Sequence, residues 1–192
     1  MELMSRYEDN YFDLAIVDPP YGIGASKGVG CTRGKESHYT VKEWDNERPK
    51  PEYFIEVQRI SKNQIIFGGN YFADLLPASR CWIYWRKTMG GNYADGELAW
   101  TSFDAVVKEY TKRSDSGNRF HPTQKPVKLY EWLLMNYAKE GDKILDTHLG
   151  SGSIAIACHN LNYDLTACEL DKEYFESAMK RINNHTAQLR II

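Results

Sequence analysis

With 192 residues, 42% apolar and 26% charged, the chain has the composition of one globular domain, which excludes a disordered, low-complexity or repetitive polymer. Four cysteines, Cys31, Cys81, Cys158 and Cys168, stand without a Cys-x-x-Cys pair and argue against a zinc site or a disulfide framework. The net charge of −2 weighs against a protein that binds nucleic acid through basicity alone.

In chain order, the N-terminus from Met1 to Asp9 carries neither a basic nor an apolar leader pattern, and no stretch reaches transmembrane length, so a cytoplasmic protein is expected. Phe12 to Val17 is a β-rich apolar run. A long stretch rich in Gly, Lys and Glu follows, from Gly22 to Lys50, and resists assignment. Loops of that length inside a compact domain are usually functional, so a lid or ligand-contacting loop is the expected use of this one. A helix is predicted over Pro51 to Ser61, a strand over Gln64 to Phe67, a helix over Tyr71 to Leu76, and strands over Cys81 to Trp85 and Glu97 to Phe103. Between the last two lies a second unassigned stretch, Lys87 to Asp95, with Gly90-Gly91.

The helix predicted over Pro126 to Lys139 has proline at its first position, a stripe of Leu129, Leu133, Leu134, Tyr137 and Ala138, and a glycine stop at Gly141. A strand over Lys143 to Leu149, a helix over Ser153 to Asn162, a strand over Asp164 to Glu169 and a helix over Asp171 to Thr186 complete the pattern, with a last short strand over Gln188 to Ile192. Strands alternating with helices imply an α/β fold: a mostly parallel sheet with helices on both faces, in three layers. From Arg80 to Lys128, nine Lys and Arg stand against five acids, which reads either as a solvated mixed surface or as a binding face.

Asp18-Pro19-Pro20-Tyr21 ends the first strand, at the sheet edge where open α/β folds build their sites. A carboxylate, a proline carbonyl and an aromatic ring suit a flat ring bearing an amino group: Tyr21 stacks, while Asp18 and the Pro19 carbonyl accept the two amino hydrogens. The alternative is structural, since proline holds the residue before it extended and Asp-Pro-Pro can simply stop a strand. The second signal is Asp146-Thr147-His148-Leu149-Gly150-Ser151-Gly152-Ser153, a strand, glycine turn and helix start where backbone can approach a nucleotide-like ligand. A tight structural turn is its alternative. About twenty residues past the glycines, Glu169 ends the next strand, placed either to accept ribose hydroxyls or to face solvent.

With these motifs in view the chain resembles the beta-class amino-methyltransferases, S-adenosylmethionine enzymes that methylate adenine N6 or cytosine N4 in DNA. Three motifs carry the resemblance in the beta-class order: Asp18-Pro19-Pro20-Tyr21, then His121-Pro122-Thr123-Gln124-Lys125-Pro126, then Asp146 to Ser153. The resemblance implies a Rossmann-like methyltransferase sandwich with circularly permuted motif order. It implies a single domain over 1–192, with a catalytic and target half at 1–103, a vestigial recognition region at 104–120 and a cofactor half at 121–192.

By the same resemblance, Asp18, Pro19, Pro20 and Tyr21 are catalytic, with Asp18 also bordering the cofactor. Asp146, Thr147, His148, Gly150, Ser151 and Gly152 shape the pocket for the methionine part of S-adenosylmethionine, Glu169 holds its ribose, and Thr123 and Lys125 are candidates for its carboxylate. The family commonly has Asp-Pro-Phe where this chain has Asp146-Thr147-His148, so the packing of that phenylalanine is missing. The expected function is methyl transfer to adenine N6 in duplex DNA, the target base being flipped out. Adenine is preferred because Asp, not Ser, precedes Pro-Pro-Tyr. The alternatives are a cytosine-N4 enzyme, an RNA or protein amino-methyltransferase, and a silent DNA- or cofactor-binding homologue. Seventeen residues, Asp104 to Phe120, cannot form a separate recognition domain, which with the small size and weak basicity fits a phage-type or orphan enzyme, a restriction-modification enzyme being the other setting. A homodimer is the family-level expectation. No metal and no membrane partner are expected.

Overall fold

The computed structural model describes residues 1–25, 42–88, 94–113 and 120–188. Its centre is β1, Phe12–Val17, in which five of six side chains are buried. A run this apolar suits a strand covered on both faces. Helix α1, Pro51–Ile60, leads into β2, Ser61–Phe67, which lies parallel to β1. Strands β3, Trp82–Arg86, β4, Gly96–Thr101, and β5, Lys108–Thr111, extend the sheet on that side. After α2, Val127–Tyr137, strand β6, Lys143–Asp146, pairs with the other edge of β1, and α3, Ser153–Leu161, connects it to β7, Asp164–Ala167. Helix α4, Lys172–Thr186, follows.

The sheet order is β5-β3-β4-β2-β1-β6-β7. Among the described strands only β4 opposes its neighbours, pairing antiparallel with both β2 and β3. From β1 the chain crosses to β2 on one side, and from β6 it crosses to β7 on the other. The carboxyl ends of β1 and β6 therefore flank the point where the winding reverses, which is where open α/β sheets hold ligands.

Two apolar clusters sandwich the sheet. On one face Tyr53, Phe54, Val57 and Ile60 of α1 pack with Phe12, Ala15, Val17, Ile66 and Leu145. On the other, Leu129, Leu133 and Leu134 of α2, Ile154 and Ala157 of α3 and Ala178 of α4 pack with Leu14, Ile16, Ile65, Phe67 and Ile144. The predicted three layers and mostly parallel sheet are observed.

Several boundaries differ from the sequence reading. Tyr71 to Leu76 is no α-helix: a 3-10 turn covers Gly69–Tyr71, and irregular turns follow. The segment is closed off by Gly68 in a left-handed conformation (φ 68°) and by Pro77, with Phe72 its one fully buried anchor. Pro126 caps α2 from an extended conformation instead of occupying its first turn, and the helix stops at Tyr137, four residues short of Gly141. The strand predicted to reach Leu149 ends at Asp146, where the His148 N–H turns back onto the Asp146 carboxylate at 2.9 Å. Strand β5 was not predicted, because Lys108-Glu109-Tyr110-Thr111 is a mostly exposed edge with no apolar alternation. Most of the Gly22 to Lys50 stretch, Gly90-Gly91, Cys31 and all but the first residue of the proposed Gln188 to Ile192 strand lie outside the described residues. Among the described residues, no helix is long and apolar enough to cross a membrane.

Candidate active site

Asp18 leaves the sheet directly after β1, and Asp146 is the last residue of the neighbouring β6. The Asp18 carboxylate is held on both sides. The Lys125 ammonium lies 2.5 Å from Oδ2, and the Tyr21 hydroxyl donates to Oδ1 at 2.7 Å. Lys125 Nζ also lies 3.2 Å from Oε2 of Glu97, whose other oxygen pairs with Lys87. Glu97 belongs to β4, opposite Trp85. Because β4 runs against its neighbours, its starting end shares a rim with the carboxyl end of β1.

This is a nearly dry electrostatic cluster: the Lys125 side chain is 3% exposed, against 16% for Asp18 and 21% for Glu97. Burial raises the Asp18 carboxyl above the ordinary range, and the Lys125 charge opposes that rise. Burial also disfavours the Lys125 ammonium, but Asp18 and Glu97 more than offset it, so its pKa lies above that of a free lysine. For Glu97 the burial penalty is outweighed by Lys125 and Lys87, and its pKa is lowered.

Tyr21 is fixed at three points. Besides its hydroxyl bond, its N–H donates to Asp45 at 2.6 Å, and its ring stacks on Tyr71 at 4.9 Å and 16°. One face of the ring expected to stack on a base is thus already covered by an aromatic neighbour. Gly68 makes room for the Tyr21 ring, since a Cβ there would overlap it.

Beside Asp18 opens a cavity of about 450 Å³. Of the residues singled out from the sequence, Asp18, Pro20, Thr123, Lys125, Thr147, His148, Gly150, Ser151 and Glu169 line it, whereas Pro19, Tyr21, Asp146 and Gly152 do not reach its wall. Asp146 is buried beneath, accepting the His148 N–H, and desolvation pushes its carboxyl up to about 8. Gly152 caps α3 at φ 72°, where a Cβ would press on Ile182 at 2.9 Å, so its role is close packing against α4. Glu169 accepts the N–H groups of Gly150 at 2.8 Å and Asp171 at 2.9 Å and so ties together two walls.

Thr147 and His148, the departure from the family pattern, form a hydrogen-bonded group with α1. The Tyr53 hydroxyl lies 2.7 Å from Thr147 Oγ1, and His148 Nδ1 lies 3.0 Å from the same oxygen. Desolvation lowers the His148 imidazole to about 4, so it is neutral at ordinary pH. Thr123 Oγ1 lies 3.2 Å from His121 Nδ1, and Lys125 is turned toward the two carboxylates, so neither side chain of this pair stands ready as an isolated anion ligand.

Sequence reasoning missed four contributors. Glu97 was read only as a strand residue, and Trp44, Asp45 and Tyr174 carried no periodic or motif signal. Trp44 and Tyr174 line the cavity and both pack against His121, with ring centroids 5.5 Å and 4.3 Å from the imidazole.

Residues 74–180 match the N6_N4_Mtase family, described as DNA methylase. The Type II methyltransferase M.HpaI of Haemophilus parainfluenzae is 25% identical over 233 aligned positions, covering 96% of this chain and 72% of that protein. The Type II methyltransferase M2.DpnII of Streptococcus pneumoniae is 38% identical over 79 residues, 41% of this chain and 30% of that one. Among solved structures, the M1.HpyAVI–SAM complex superposes with a TM-score of 0.61 at 21% identity, covering 94% of this chain and 92% of the other. The PvuII DNA methyltransferase, cytosine-N4-specific, superposes with a TM-score of 0.65 at 12% identity, covering all of this chain and 84% of the other. These superpositions establish a shared fold. Together with the sequence match over more than half its length, they leave no other placement: the chain belongs to the N6/N4 family of DNA methylases.

Proposed function

We propose that the protein transfers a methyl group from S-adenosylmethionine to the N6 amino group of adenine in DNA. The observation that carries this reading is the placement of Asp18 at the border of the 450 Å³ cavity, with the remaining residues of Asp18-Pro19-Pro20-Tyr21 beside it at the winding reversal. Adenine is favoured by Asp18 standing before Pro-Pro-Tyr. The solved neighbours include a cytosine-N4-specific enzyme, so cytosine N4 is the second reading.

The cavity fits the cofactor. Its volume lies within the roughly 300–1,000 Å³ of small-molecule sites. Its walls combine the rings of Trp44 and Tyr174 and the apolar Leu149 and Leu170 with the carboxylates of Glu169 and Asp171 and the hydroxyls of Thr123 and Ser151. Glu169 would hold the ribose hydroxyls, and the Gly150-Ser151 turn with Thr147 would border the methionine part. When bound, S-adenosylmethionine supplies an electrophilic methyl group on a sulfonium.

The protein's own residues do the rest. An adenine amino nitrogen is a poor nucleophile because its lone pair is delocalised into the ring. Asp18 and the Pro19 carbonyl accept its hydrogens and hold the amino group for in-line attack, an effect of positioning and preorganised electrostatics. The target amino group enters by displacing one donor now on Asp18, while the other keeps the carboxylate ionised in a dry site. Asp18 receives the amino proton as the transfer completes, or passes it to solvent. A base inside a duplex cannot reach this recess, so the nucleotide is flipped out or taken from a single strand.

The test is transfer of labelled methyl from S-adenosylmethionine to unmethylated duplex DNA, followed by digestion to nucleosides. N6-methyladenine is expected. N4-methylcytosine would overturn the choice of base, and label absent from DNA would overturn the function. In the same assay Asp18→Ala should lower transfer by at least two orders of magnitude, with S-adenosylmethionine binding in calorimetry nearly unchanged.

A further inference from the structure

Asp45 is 1% exposed, and its carboxylate accepts three backbone N–H groups: Tyr21 at 2.6 Å and Gly22 at 3.0 Å on Oδ1, and Ala25 at 2.6 Å on Oδ2. Its carbonyl accepts a fourth, from Gly24, at 3.0 Å. Gly22 and Gly24 both have positive φ, 72° and 70°, which curls the backbone around the carboxylate. The loop that leaves the catalytic tetrapeptide therefore hangs on one residue through charge-assisted bonds, the strong kind.

The residue before it belongs to the other half of the site. Trp44 lines the cofactor cavity and lies nearly parallel to His121, at 29°. Two residues earlier, Lys42 pairs with Asp171 at 2.6 Å and with Glu173 at 2.8 Å, and its ammonium sits 4.2 Å from the centre of the Tyr174 ring. Asp171 and Tyr174 are cavity walls. Four consecutive residues thus grip the cofactor side at one end and the catalytic loop at the other. Trp44 and Asp45 are joined by one rigid peptide unit, so a shift of the Trp44 backbone moves the Asp45 backbone with it.

We infer that Asp45 is a positioning residue for Tyr21, and that Trp44 and Asp45 together transmit occupancy of the cofactor cavity to the loop that receives the target base. The inference rests on the cofactor assignment above. Its consequence is an ordered site, in which the base-holding loop tightens once the cofactor cavity is filled.

Hydrogen exchange of the Tyr21, Gly22 and Ala25 amides, measured with and without S-adenosylhomocysteine, tests it. In the native protein the ligand should slow exchange of these amides several-fold, and in Trp44→Ala the slowing should disappear although some ligand still binds at saturating concentration. Asp45→Asn keeps one oxygen for Tyr21 and Gly22 but opposes an amide to the Ala25 N–H. It should speed exchange of all three amides without ligand and lower kcat on the order of 10- to 100-fold, with the calorimetric Kd for S-adenosylhomocysteine changed by less than about threefold. Asp45→Glu should recover part of kcat. Ligand that binds the native protein yet leaves these amides unchanged, or slows them equally in Trp44→Ala, overturns the coupling. Ligand that fails to bind the native protein overturns the cofactor assignment itself, and the coupling with it.

Discussion

Lys125 Nζ lies 2.5 Å from Asp18 Oδ2 across 107 residues of sequence, so the middle motif of the chain supplies the counter-ion of the first. Replacing Lys125 by Met leaves Asp18 and Glu97 facing each other with that shared charge removed. Urea unfolding should show a loss on the order of 3 kcal/mol, the low end for breaking a buried pair, because the two carboxylates keep 16% and 21% side-chain exposure. Lys125→Arg should not restore activity, since a planar guanidinium does not fit a site built for a compact ammonium.

Tyr21 combines a ring and a hydroxyl with separable uses. Tyr21→Phe removes the bond to Asp18 Oδ1 and a long contact from the Lys125 ammonium at 3.5 Å, and should cost about 1 kcal/mol of stability. Tyr21→Ala also removes the ring that stacks on Tyr71, and relative to Tyr21→Phe it should weaken DNA binding by about 1–3 kcal/mol, the worth of a stacked base. Equal DNA affinities in the two variants, measured by titration of a labelled duplex, would remove the ring from the target site.

His148 makes a distinct pH prediction. Its folded pKa of about 4 lies below its unfolded value near 6.5, so between these limits the unfolded chain binds a proton that the folded chain does not. The native protein should therefore lose stability relative to His148→Phe as pH falls from 6.5 to 4, and the difference should level off below. Unfolding curves of the two proteins at matched pH values check this, and parallel pH profiles would contradict the buried neutral imidazole.

Gly68 has φ 68° and lies against the Tyr21 ring. Gly68→Ala adds a strained conformation to a steric overlap and should destabilise the fold by roughly 1–3 kcal/mol. The informative readout is transfer activity at a temperature where the variant remains folded, since the displaced ring would carry the Asp18 hydrogen bond away with it.

The parts of this fold that could be read in advance are those with strong local signals. Phe12 to Val17 is apolar without interruption and ends at two prolines, so both strand and boundary were visible. Ser153 to Leu161 follows glycines and is apolar on most sides, as a buried helix must be. What escaped prediction depends on partners distant in sequence. Lys108 to Thr111 is a strand only because β3 offers it an edge, and Glu97 looks like an ordinary strand acid until the sheet places Lys125 beside it. Asp45 lies in a largely polar stretch without periodicity, and nothing local announces that its oxygens collect amides from residues twenty to twenty-four positions earlier.

One of the seven described strands runs backwards, and that reversal supplies an acid to the site. In a sheet whose strands all point one way, the rim that holds the ligand receives only residues at strand ends. By entering at that rim instead of leaving there, β4 contributes Glu97 near its beginning, anchored in the ladder opposite Trp85 and not on a loop. The charge that steadies Lys125, and through it Asp18, is thereby mounted on a hydrogen-bonded strand.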